Sequence, residues 1–173
     1  MAFCGITAAL SAVVMFLTGV VPTATVALPA VAGCFLIPVV AELGRGWGMG
    51  VYAVCSVLSF LLAPDREAAF IYILFFGYYP VLLALLGRIR NKALRWAAKL
   101  GVFNAAVLAE TALAVWVLGI PWENVDLLGR ATPVVLLLAA NVMFVLYDRV
   151  LEGLIALYFQ KLHSRVQKAL KLK

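Results

Sequence analysis

The sequence predicts an all-α polytopic membrane protein with six transmembrane helices and both termini in the cytoplasm. Three observations predict it. The 173-residue chain is 66% hydrophobic with a mean hydropathy of +1.08, which leaves too little polar surface to coat a soluble globule. Its apolar stretches continue into the last quarter of the chain, so a cleaved signal peptide does not account for them. Its 14 Lys and Arg residues are clustered. Arg88, Arg90, Lys92, Arg95 and Lys99 fill one gap between apolar runs, and Lys161, Arg165, Lys168, Lys171 and Lys173 fill the C-terminal tail.

The first apolar segment covers residues 3–21. Residues 22–29 follow, uncharged, Thr-bearing and bracketed by Pro22 and Pro29, which predicts a loop or re-entrant stretch. The second segment, 30–43, is short and carries Pro38. Gly44-Arg45-Gly46 is a turn, and the third segment runs over 47–63. Pro64-Asp65-Arg66-Glu67 ends it and suits the start of the fourth, 68–86, because carboxylates favour a helix N-terminus. The fourth segment contains Tyr78-Tyr79-Pro80, which predicts a kink with packed aromatics. The fifth runs over 96–118, a loop over 119–126, and the sixth from about 132 to 146, continuing as an amphipathic helix into the tail. Most segments approach the roughly 20 residues that cross a bilayer. The runs are continuous rather than alternating, which excludes a barrel. Residues 1–160 read as one six-helix transmembrane domain and 161–173 as a basic cytoplasmic tail.

An even number of crossings puts both basic clusters on one face. That face then holds Arg45, the Arg88–Lys99 cluster, Arg149 and the tail, twelve basic residues in all, against Arg66 and Arg130 on the other. The opposite face also carries Asp65, Glu67, Glu123 and Asp126. The twelve-to-two split assigns both termini to the cytoplasm, and the basic residues beside the membrane attract anionic lipid headgroups. No separate basic domain exists to bind nucleic acid. Trp47, Trp96, Trp116 and Trp122 read as interfacial anchors.

Glu110 is the one acid that the segments place deep in hydrocarbon. Intramembrane acids face a bundle interior or a water-filled cavity. Helix rise sets Glu110 roughly 13 Å from the outer end of helix five. Asn141 lies a similar distance along helix six, so the two share one level. Tyr72 and Phe76 approach from helix four, with Tyr78, Tyr79 and Asn104 deeper. One reading is a substrate cavity lined by Glu110, Asn141, Tyr72 and Tyr79. The other is an interhelical hydrogen bond from a protonated Glu110 to Asn141, worth about 1 kcal/mol. Helix one offers Ala8 and Ala12 four apart among small residues. That spacing serves internal packing or docks another membrane subunit.

Catalytic and metal chemistry find no set of residues. Cys4, Cys34 and Cys55 sit in apolar runs at no ligand spacing, and His163, the one histidine, lies in the tail. No nucleophile, zinc or phosphate-loop motif occurs, so the chain reads as a non-enzyme without resident cofactor or metal.

Six short helices, both ends cytoplasmic, a small-residue first helix and a proline-flanked first outer loop resemble the S components of energy-coupling factor (ECF) transporters. These are the substrate-binding membrane subunits of bacterial vitamin and micronutrient importers. Ala8 and Ala12 match the Ala-xxx-Ala element by which S components dock on the transmembrane coupling subunit. Residues 22–29 correspond to the loop that gates their outward site. Gly46-Trp47-Gly48-Met49-Gly50-Val51 resembles their glycine-rich start of helix three. The resemblance implies capture of a small solute at the outer face of the bacterial cytoplasmic membrane. It also implies partner ATPase subunits that drive release inward. No vitamin-specific signature is present, which leaves the solute open.

A scaffold such as the rod-shape morphogenesis protein MreD resembles S components in size and helix count. It would bind protein partners and no solute, although helix three here lacks an acid expected of MreD. A small ion-coupled transporter acting through Glu110 is a third reading. It requires an inward pathway, for which Asp148 and Glu152 are the inner acids on the last helix.

Overall fold

The computed structural model describes residues 2–116, 132–163 and 166–167, with Pro22, Thr132 and Pro133 described by backbone alone. Every regular element among the described residues is helical. Among the described residues, five stretches are long and apolar enough to cross a membrane: Ala2–Gly19, Arg45–Leu62, Arg66–Leu86, Lys92–Trp116 and Val134–Leu162. Ala27–Leu43 is a shorter apolar stretch. The expected loop over 119–126, together with Trp122, Arg130, Arg165, Lys168, Lys171 and Lys173, lies outside the described residues.

Proline chemistry explains where the helices break. Helix α1 covers Ala2–Phe16 and ends in a 3-10 turn, Leu17–Gly19. A second 3-10 turn, Pro22–Ala24, falls where the Pro-bracketed loop is expected. Helix α2 (Ala27–Cys34) tolerates Pro29 in its first turn. Pro38 has no N–H to offer the carbonyl of Cys34, and its ring crowds that carbonyl, so the helix breaks there and restarts as α3, Leu36–Leu43. At Gly44 the backbone takes φ 88°, a left-handed turn that only glycine adopts without strain, and α4 (Arg45–Leu62) begins.

The fourth apolar segment is broken as its tyrosines and proline predict. Asp65 caps α5 (Arg66–Ile71): its Oδ1 accepts from the backbone N–H of Glu67 at 3.0 Å and of Ala68 at 3.2 Å. The chain then widens into a π turn, Tyr72–Phe76, closed by Gly77 N–H donating to Tyr72 O at 2.8 Å. Helix α6 (Tyr79–Leu86) resumes with Pro80 in its first turn. The Tyr52 hydroxyl donates to the Ile73 carbonyl inside the π turn at 2.7 Å. Gly33 of α2 approaches Phe76 O so closely that a Cβ there would clash with the backbone.

The chain groups into two compact units. Unit 1 comprises Met1–Arg88 and Leu151–Lys173, and unit 2 comprises Ile89–Val150. In unit 1, α1 packs along α4 and α2, and α3 packs on α4 and α6. Its core gathers Ala8, Met15, Ala32, Leu36, Val39, Cys55, Ala63, Ala68 and Tyr72. Unit 2 is built from α7 (Lys92–Trp116) and the first part of α8 (Thr132–Leu157). Helix α8 is regular through Leu157 and passes into a π turn, Tyr158–Leu162.

Candidate functional site

Three polar constellations interrupt this apolar protein. The first closes one end of unit 1. Thr25, in the loop after α1, donates from Oγ1 to Asp65 Oδ2 at 3.0 Å. Asp65 therefore caps α5 with one oxygen and holds the 22–29 stretch with the other. Pro64 packs against Gly19 with no room for a Cβ between them. Arg66 donates to the Phe60 carbonyl and lies over the Phe60 ring, 5.4 Å from its centroid.

The second constellation lies at the far end of the same unit. The Glu42 side chain is 1% exposed. Its Oε1 accepts the Tyr158 hydroxyl at 2.7 Å and stands 2.6 Å from His163 Nδ1. Oε2 is buried with no hydrogen-bond partner among the described residues. The π turn makes this possible. Residues five apart in an α-helix point about 140° apart. An i→i+5 bond closes the turn over five residues instead, so Tyr158 and His163 face the same carboxylate.

The third constellation runs along the α7–α8 hairpin of unit 2. Lys99 Nζ donates to both oxygens of Asp148 at 2.7 Å, with side chains 2% and 0% exposed. Trp96 covers the pair, its centroid 5.1 Å from Lys99 Nζ and 5.6 Å from Arg149 Cζ. One turn on, Phe103 and Phe144 stack at 4.5 Å. Next, Asn104 and Asn141 exchange reciprocal amide bonds, each 3.0 Å. Each amide also donates to its own helix, to Leu100 O and Leu137 O respectively, at 2.8 Å.

These pairs fix an antiparallel register and relocate the residues singled out from sequence. Asn141 stands level with Asn104 and not with Glu110, which lies about 9 Å further along α7. Glu110 is half-buried and continues the Phe103 face seven residues on. Among the described residues the acids with fully enclosed side chains are Glu42 and Asp148. Tyr72 and Tyr79 are in unit 1 and are both 0% exposed, packed so that no water-sized space touches either ring. Ser11, buried on α1, donates from Oγ to the Ala32 carbonyl at 2.9 Å.

Ala8 is put to internal use. It is 8% exposed in the core, and its carbonyl receives the Cys55 thiol at 4.0 Å. Ala12 is half-buried, and the open face of α1 is formed by Gly5, Ile6, Ala9, Leu10 and Val13. Three features went unread in the sequence: the Lys99–Asp148 pair, the Asn104–Asn141 pair and Glu42. The first two carried a signal. Trp96, Lys99, Phe103 and Ala106 on α7, and Asn141, Phe144, Asp148 and Leu151 on α8, fall at the three- and four-residue spacing of a packing seam.

No protein-family model matches the chain, and no curated protein or solved structure matches it at a significant level.

Proposed function

We propose that this chain is a multi-pass subunit of the bacterial cytoplasmic membrane that captures a small solute and works with protein partners, as ECF S components do. Six crossings, with Ala27–Leu43 as the short broken one, and cytoplasmic termini agree with the twelve-to-two distribution of basic residues. The observation that carries the reading is the Thr25–Asp65 bond. In this topology it fastens the first outer loop over the outer end of unit 1. A hydrogen bond to a carboxylate contributes about 1.5–3 kcal/mol, enough to close a loop and little enough to release it. In this reading, release of the loop gives the solute its way to the core cluster that contains Tyr72 and Cys55. The proposed partners are a transmembrane coupling subunit and ATPase subunits, since the chain has no ATPase motif. No catalytic role is proposed. Because Ala8 is enclosed, docking through helix one falls to its Gly5–Ala9 face.

A scaffold of the MreD kind is the second reading. The observation that favours it is the saturation of Asn141 and the full burial of Tyr72 and Tyr79. Mass spectrometry of small molecules that co-purify with the protein from its native membranes separates the two. Solute capture predicts a compound retained by wild type and lost from Tyr72→Phe. Repeatedly empty preparations that carry a stable protein partner overturn solute capture and leave the scaffold.

A further inference from the structure

Between α4 and α6 of unit 1 runs a groove of about 520 Å3, within the roughly 300–1,000 Å3 range of ligand sites. Arg45, Gly46 and Met49 line it from α4, and Tyr78, Val81, Leu82 and Leu85 from the α6 side. We propose that this groove binds one anionic phospholipid, its phosphate on Arg45 and an acyl chain laid between the two helices.

The chemistry of the groove is that of an amphiphile, charged at one end and apolar along its length. Arg45 is the first residue of an 18-residue apolar span, so its guanidinium lies where hydrocarbon meets headgroups, whichever side that end faces. Trp47, half-exposed next to it, is the residue type that anchors at that boundary. Arg45 is only partly exposed and makes no ion pair among the described residues. The first N–H groups of α4 lack intrahelical acceptors and add positive potential at the same end of the groove. An anionic headgroup satisfies both, with the fork geometry that guanidinium offers to phosphate.

Inward from Arg45 the lining turns apolar. Leu85 and Tyr78 are seven residues apart, so the groove extends about 10 Å down the helices. Gly46 bears no side chain, and a Cβ there would meet nothing within 4 Å, so a chain can lie on the backbone. The floor is the Tyr78 ring, which meets Tyr52 edge-on at 5.8 Å. Deep apolar contact together with a single cation at the rim selects a lipid over a free anion.

Native mass spectrometry of the detergent-purified full chain tests this. The probes are phosphatidylglycerol and phosphatidylcholine of identical acyl chains, with inorganic phosphate as competitor. Wild type is expected to retain one phosphatidylglycerol about fivefold over phosphatidylcholine, the preference one basic residue near the surface confers. Arg45→Gln abolishes that preference and keeps residual binding of both lipids. Leu85→Trp fills the groove and loses both. Millimolar phosphate leaves retention unchanged. Equal retention of the two lipids by wild type, an unchanged preference in Arg45→Gln, or displacement by phosphate each overturns the proposal. Arg45 is absent from the packed core, so its variant reports even where Leu85→Trp does not fold.

Discussion

Replacing Lys99 with Met strands the Asp148 carboxylate where it is fully enclosed. In wild type, Nζ stands 2.7 Å from both oxygens. At an effective dielectric constant of about 20, charges at that distance attract by roughly 6 kcal/mol. Withdrawing the two ions from water costs several kcal/mol each, so the intact pair contributes little net stability. Losing one partner is different, because the remaining ion keeps its desolvation cost and loses its attraction. Lys99→Met and Asp148→Leu are each expected to destabilise the protein by about 3–5 kcal/mol. The double variant removes both ions and is expected within about 1 kcal/mol of wild type, or above it. The four proteins form a double-mutant cycle, read by reversible unfolding in mixed micelles titrated with sodium dodecyl sulfate and followed by helical circular dichroism. A single variant that loses under about 1 kcal/mol, or a double variant that loses the sum of the singles, refutes the reasoning.

Three further outcomes follow from the geometry. Gly33→Ala drives a Cβ into the Phe76 carbonyl and should cost about 1–3 kcal/mol, whereas Gly50→Ala, whose Cβ meets nothing within 4 Å, should be neutral or slightly stabilising in the same unfolding assay. Thr25→Val removes only the loop bond and should speed hydrogen exchange at residues 23–26, while Asp65→Ala should also loosen the first turn of α5, at a cost of about 1 kcal/mol. Asn141→Leu leaves the Asn104 amide without its cross-helix partner and should cost about 0.6–1.7 kcal/mol in the unfolding assay, the range of interhelical hydrogen bonds in membranes.

The helix-breaking chemistry was legible because it is local. Pro38, Pro80 and the Asp65 cap act within four residues of themselves, and the breaks fall where they dictate. The deep polar partners were not legible, because they depend on how helices face each other. Helical rise along each segment gave Asn141 and Glu110 a common depth, but depth says nothing of antiparallel register, and Asn104 took the amide. In the sequence, Lys99 belongs with its basic neighbours to the topology signal. Charge counting is blind to spacing, and the spacing places Lys99 on the buried seam opposite Asp148. Glu42 sits at the end of an apolar run beside a turn, where an acid ordinarily meets water. Its partners lie 116 and 121 residues away, and the π turn that aims them leaves no mark in hydrophobic periodicity.

The stacked Phe103 and Phe144 rings fall between the ion pair on one side and the amide pair on the other. Benzene rings in van der Waals contact offer a travelling proton neither a lone pair nor a hydrogen to exchange. The hairpin thus carries charge and polarity at two depths with an insulating washer between them. The two polar pairs are thereby kept apart by an apolar layer, and water drawn to one has no polar group there by which to reach the other.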